Sequence, residues 1–175
     1  MHICDYDIIM KAVAPECMPG EQALAGFAQY EAALDTLVAN GVCTLRIFDK
    51  VLGPGFNSPL RYDLLHRLLL AGRHHRVFIA LHETANIARD CPRLMMLLRT
   101  FSHGIAIRQT LPAARRVYDP FAIADDTRFV RRFHFDDMRG VATVGDYANI
   151  SSLVKRFDDI WEASTPAVGA TTLGL

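Results

Sequence analysis

Four groupings of residues have the types and spacing for chemistry. His82-Glu83 follows the apolar run Arg76–Leu81 (RVFIAL). A His and a carboxylate just past a strand could serve as acid and base, because the crevice beyond strand C-termini in a parallel sheet is a common ligand site. The same pair also reads as a strand-end cap that faces water. His134 stands between Arg131-Arg132-Phe133 and Asp136-Asp137. An imidazole near carboxylates suits a metal or a proton transfer. The spacing matches no established ligand motif, however, and a turn rich in Asp is commonly only a turn.

Asp5-Tyr6-Asp7 has the D-x-D spacing of metal-dependent phosphoryl or sugar transfer. Only four residues precede it, too few for the long buried strand such motifs close, and Ile8-Ile9-Met10 lacks the hydroxyl of the phosphatase version. Arg73-His74-His75-Arg76 is the densest basic tetrad, and Arg73, His75 and Arg76 are its candidates to bind an anion. As a solvated helix-to-strand connection it needs no function. Gly53-Pro54-Gly55 lacks the Lys-Ser/Thr that completes a phosphate cradle. Ser102, Ser151 and Ser152 have no G-x-S-x-G surroundings. Met95-Met96 and Trp161 read as core fillers. These patterns imply no metal and no cofactor.

The elements that must position these residues follow from periodicity. Apolar residues Ala23, Leu24, Phe27, Tyr30, Leu34, Leu37 and Val38 predict a helix over Gly20–Asn40, stopped by Asn40-Gly41. VCTLRIF (Val42–Phe48) is a strand, and Asp49–Asn57 is a loop. Ser58-Pro59 caps a helix that runs to about Ala71. RVFIAL is a strand buried on both faces. Asp90 caps a third helix through Phe101, and Ile105–Arg108 is a third strand. This alternation predicts an α/β domain whose first part is a parallel sheet. Pro120–Ala124, Arg128–Phe133 and Gly140–Val144 are three short strands. Asp125-Asp126-Thr127 and Asp136-Asp137-Met138-Arg139 are turns too short for crossovers, so these strands pair antiparallel. Asp146 caps a last helix with Ile150, Leu153, Val154, Phe157, Ile160 and Trp161 on one face. The domain therefore spans residues 20–164, with residues 1–19 as an N-terminal segment or edge strand and 165–175 as a tail.

This order of elements, with YDPFAIADDTRFVRRF as a strand–turn–strand and LVKRFDDIWEAS as the closing helix, resembles the phospholipase D-like fold. The runs LRIF, FAIADD and RFDDIWEAS also resemble an uncharacterised bacterial domain. That domain is itself phospholipase D-like and is often fused to or near GNAT acetyltransferases. The resemblance implies a mixed sheet flanked by helices, a homodimer built about a two-fold axis, and an acetyltransferase-linked partner. The family motif is H-x-K-x-x-x-x-D. With Asp126 at its aspartate, the histidine position falls on Asp119 and the lysine position on Phe121. The family's chemistry needs an imidazole to attack phosphorus and a cation to hold the phosphoryl oxygens. An acid and an apolar ring supply neither, and no H-x-K occurs in the chain. The resemblance thus implies a binding or accessory module that has lost catalysis. The alternatives are a phosphoester hydrolase that reuses His82, Glu83, His134 or Asp119, and a nucleic-acid-binding module.

Composition narrows these alternatives. The 175 residues carry 19 basic and 19 acidic side chains, so no net field draws nucleic acid or an anionic membrane. Half the chain is apolar (51%), which places it among folded domains. Mean hydropathy is +0.14, and a dimer would cover surplus apolar surface. Arginines outnumber lysines 16 to 3 but are spread along the chain, a pattern of genomic base composition. No apolar run reaches membrane-spanning length, and Met1–Met10 lacks the pattern of a secretory leader. Cys4, Cys17, Cys43 and Cys91 form no C-x-x-C pair, and Cys43 is expected to be a buried thiol. A cytoplasmic location is the expectation.

Overall fold

The computed structural model describes residues 20–168. They form a mixed sheet with strand order β1-β7-β6-β5-β2-β3-β4-β8, flanked by helices. The elements in chain order are β1 (Gly20–Leu24), α1 (Phe27–Ala39), β2 (Thr44–Asp49), a 3-10 turn (Pro54–Asn57), α2 (Pro59–Leu70), β3 (Arg76–Leu81), α3 (Ile87–Asp90), α4 (Pro92–Thr100) and β4 (Ile105–Thr110). After a second short 3-10 turn come β5 (Phe121–Ala124), β6 (Arg128–His134), β7 (Asp137–Val144), α5 (Tyr147–Glu162) and β8 (Ser164–Val168).

β2, β3 and β4 pair in parallel, as the helix–strand alternation predicts. β5, β6 and β7 form an antiparallel meander, and β5 joins the parallel group antiparallel to β2. The predicted α/β class with a parallel first part and antiparallel later strands is the observed architecture.

Strand alternation divides the core in two. Leu45, Ile47, Val77, Ile79, Ala122 and Val130 face α1, α2 and α4. Phe48, Ala80, Phe121, Ile123 and Phe129 face Ile150, Leu153, Phe157 and Ile160 of α5. α1 buries Tyr30, Leu34, Leu37 and Val38, spaced four, three and one apart on one stripe. Ser58 accepts from the Arg61 N–H at 3.1 Å and Asp146 from the Asn149 N–H at 3.2 Å, the two caps expected from sequence.

Several expectations need correction. Residues 20–24 are an edge strand on β7, not the first turns of a helix. Only Leu24 of that strand is buried, so the apolar periodicity there came from one residue that points inward. Asp90 closes the four-residue helix α3, and Cys91 with Pro92 starts α4 instead. Proline at the first helical position sets that start, since its missing N–H costs nothing there. β7 begins at Asp137, so the second hairpin turn is tighter than the four residues Asp136–Arg139. Ser164–Val168 pair with β4 where a tail is expected. Cys43 is exposed just before β2, whereas Cys91 is buried. Met96 is exposed, although Met95 is a core residue. Asp5-Tyr6-Asp7, Cys4 and Cys17 lie outside the described residues. Among the described residues, no helix is long and apolar enough to cross a membrane.

Candidate functional site

The topology gathers polar side chains at one edge. β2, β3 and β4 end there with Asp49, His82 (one residue past β3) and Thr110. β5 runs antiparallel to β2 with Phe121 opposite Phe48, so Asp119 arrives at the same edge. Arg131 stands opposite Phe121 on β6. This is the edge at which open α/β sheets bind ligands.

On the α5 face Asp119 is the hub. Its Oδ2 accepts from Arg131 Nε at 3.0 Å and from Arg156 Nη1 at 2.7 Å, and its Oδ1 accepts from Arg156 Nη2. The Asp119 side chain is 9% exposed. Arg156 comes from α5, so the closing helix and the antiparallel hairpin clamp one carboxylate from both sides. Phe121, two residues on, is fully buried against Phe48 and Phe157. Asp126 lies at the far end of β5, roughly 20 Å along the chain from Asp119 at strand rise. It pairs with Arg46 at 2.5 Å and cannot orient a group at position 119. Its neighbour Asp125 has φ 51° and accepts from the Val42, Cys43 and Thr44 N–H groups at 2.5, 2.7 and 2.8 Å. The FAIADD turn is thus a structural clasp on the start of β2, built on two left-handed aspartates.

His82 sits on the same face and edge, buried, with both ring nitrogens engaged. Nε2 is 2.9 Å from the Val117 carbonyl, which can only accept, so Nε2 carries the proton. Nδ1 then accepts from the Thr110 hydroxyl at 2.6 Å. Phe48 and Phe135 stand edge-on to the ring at 5.2 and 5.3 Å. Burial holds the imidazole below its ordinary pKa of 6.5, partly opposed by the Val117 hydrogen bond. The ring is neutral at pH 7 with no lone pair free for a substrate. Because the folded-state pKa lies below the unfolded one, His82 stabilises the fold above pH 6.5 and loses that contribution as pH falls. The predicted observation is an NMR titration of the His82 ring with a midpoint below 6.5. A midpoint at or above 6.5 would contradict this arrangement.

On the opposite face Arg132 Nη2 reaches both Asp49 oxygens, at 3.2 and 3.1 Å. The guanidinium stacks over Tyr30 at 4.9 Å. Burial pushes the Asp49 carboxyl up to about 6, against the pull of Arg132 and of the Lys50 N–H. A pocket of about 350 Å³ opens beside this pair, walled by Phe27, Phe56 and Phe135.

The other predicted candidates do not converge. Glu83 is largely exposed and stands 3.9 Å from Lys50. His134 stacks on Tyr118 at 5.8 Å, and its Nδ1 accepts from the Asp136 N–H at 3.1 Å. That hydrogen bond uses the nitrogen a metal would need on that side. Among the described residues no group of three or more His, Cys, Asp or Glu side chains is placed to hold a metal ion. Arg73, His75 and Arg76 lie at the other end of β3. His75 Nδ1 donates to the Leu68 carbonyl at 2.6 Å, and Arg76 Nη1 donates to the carbonyls of Arg73 and His75 at 2.7 and 2.8 Å. Two of the three are therefore backbone ties rather than a phosphate grip. Sequence reasoning missed Arg156, Thr110 and the Asp49–Arg132 pair. Arg156 had a signal, since it adjoins the buried face of the last helix beside Phe157.

The arrangement of sheet and helices matches the phospholipase D-like fold. The chain is similar to three solved structures of that kind. One is Nuc, a phospholipase D family member from Salmonella typhimurium (16% identity, TM-score 0.60, 86% of this chain and 99% of that one). The second is NucT from Helicobacter pylori (13%, TM-score 0.54, 86% and 100%). The third is phosphatidylserine synthase from Haemophilus influenzae Rd KW20 (13%, TM-score 0.59, 92% and 43%). It is also similar to TrmBL2, an archaeal chromatin protein described with a novel mode of DNA binding (12%, TM-score 0.65, 92% of this chain). The chain spans 59% of that protein's length. At these identities the likeness is one of fold. The chain belongs to the DUF7931 family, a domain of unknown function whose model matches residues 27–172. No curated protein matches the chain.

Proposed function

We propose that this protein is a catalytically degenerate phospholipase D-like domain that acts as a binding or accessory module. The observation that carries this reading is the state of Asp119 and Phe121. In the register of the family motif they hold the nucleophile and phosphate-cation positions. One is a carboxylate clamped by Arg131 and Arg156, and the other is a fully buried ring. A carboxylate committed to two guanidiniums does not replace an imidazole nucleophile, and a phenyl ring offers no donor to phosphoryl oxygens. The imidazole at this edge, His82, has both nitrogens occupied.

The charge pairing supports a module that does not grip nucleic acid. Arg46, Arg61, Arg89, Arg131, Arg132, Arg139 and Arg156 each face a carboxylate within 4 Å. Arginines neutralised in this way release few counterions from a polyanion. Homodimerisation and association with an acetyltransferase-linked partner belong to the same proposal. Exposed Leu111, Tyr118 and Phe133 border the Asp119 edge and offer apolar surface for a protein contact.

The test is hydrolysis of bis(p-nitrophenyl) phosphate by the purified chain, with EDTA, Mg²⁺, Mn²⁺ or Zn²⁺, repeated on His82→Ala. The module reading predicts no turnover above buffer in any condition. Turnover that His82→Ala abolishes would establish the hydrolase instead.

A further inference from the structure

A second concavity, of about 450 Å³, lies between α1 and the outer strands of the sheet. It is at the opposite end of β6 from the Asp119 edge. Ala33 and Leu37 of α1 form one wall, and Val130, Ala142 and Val144 of β6 and β7 form the other. The register fixes which side chains point in. Val130 packs in the α1-side core, so Arg128, two residues earlier, shares that face, and Val144 stands directly opposite Arg128. Glu21 is at the rim but pairs in register with Thr143, on the other face.

Arg128 is the distinctive feature of this groove. It is half-buried, its Nε is buried without a hydrogen-bond partner, and no carboxylate among the described residues pairs with it. The polar side chains of α1 and its C-cap that line the groove each make a backbone hydrogen bond, Gln29 Oε1 accepting from the Ala25 N–H at 2.8 Å. Thr36 Oγ1 donates to the Ala32 carbonyl at 2.9 Å, and Asn40 Nδ2 donates to the Thr36 carbonyl at 2.8 Å. A cation at the mouth of an apolar trough, with no anion of its own, fits an elongated apolar molecule that ends in an anionic group. The volume falls in the range of small-molecule sites.

We propose that this groove binds an amphiphilic monoanion, an aliphatic carboxylate of medium length. Its chain lies between Ala33 and Val130, and its carboxylate pairs with Arg128. The guanidinium fork suits a carboxylate, and a charge-assisted pair is worth about a tenfold change in affinity or more.

The test is calorimetric titration of the full chain with dodecanoate and with dodecan-1-ol. One dodecanoate should bind per chain, and the alcohol should bind at least about tenfold more weakly. Arg128→Gln should weaken dodecanoate by about tenfold and leave the alcohol unchanged. Ala33→Trp, which fills the trough, should abolish binding of both. The proposal is overturned if wild-type protein gives no binding signal up to the solubility of dodecanoate, or if Arg128→Gln binds it as tightly as wild type.

Discussion

The Phe121→Lys variant is expected to lose about 5 kcal/mol or more of folding stability, enough to leave most small domains unfolded. The substitution installs the residue type that the proposed motif register would have at this position. Phe121 is fully buried, with Phe48 at 5.6 Å and Phe157 at 6.5 Å between ring centroids. A lysine would put an ammonium among these rings, and the carboxylate of Asp119 two residues away is already held by Arg131 and Arg156. Circular dichroism and urea denaturation measure the effect, with Phe121→Leu as the control that keeps an apolar side chain and costs far less. A folded Phe121→Lys protein of near wild-type stability would mean that the position opens to solvent and that the site is not closed.

Arg61→Ala is expected to cost about 3–5 kcal/mol by the same measurement. Arg61 is the largest fully buried side chain among the described residues. Its Nε donates to Asp35 at 2.7 Å and its Nη2 to the Glu31 carbonyl at 3.1 Å. Glu31 Oε2 stands 3.0 Å from Nη1, a charge contact off-line for a hydrogen bond, and Phe56 lies 4.8 Å under the guanidinium. One cation thus ties α1, α2 and the turn after β2. Truncating it leaves two inward-facing carboxylates and a void. Gly55 belongs to this unit, since a Cβ there would meet Glu31 Oε2. Arg61→Lys should fall between wild type and Arg61→Ala, because an ammonium keeps the charge but not the fork.

The parallel half of the fold was legible because its largely buried strands write themselves as apolar runs. RVFIAL matches β3 residue for residue. The caps at Ser58 and Asp146 were legible because their signals are local. The edge strands were not. Gly20–Leu24 and Ser164–Val168 bury little, so partners 116 or more positions distant in β1 and 54 or more in β8 decide their state. Cys43 shows the same limit, because an apolar neighbourhood in sequence did not say that the strand begins one residue later.

The site divides along the same line. The proposed motif register, which puts Asp119 and Phe121 at the histidine and lysine positions, rests on counting back from Asp126 in the sequence. What the aspartate does there depends on Arg131, 12 positions on, and Arg156, 37 positions on, which only the meander and the closing helix bring together. His82 was legible as a residue past a strand. Its occupied nitrogens were not, since Thr110 and Val117 lie 28 and 35 positions away. From sequence, the arginine-rich composition reads as base composition. In the fold many of the guanidinium forks are anchored on carboxylates, which no tally of charges discloses.

A crystal structure of the protein soaked in tungstate tests the closed edge most directly, because the oxyanion resembles a transferring phosphoryl group in shape and charge. The predicted result is an Asp119 carboxylate still held by Arg131 and Arg156, with no tungstate beside them or beside His82. A tungstate bridging Arg131, Arg156 and the His82 ring, with Asp119 swung aside, would contradict the account and return this edge to phosphoryl chemistry.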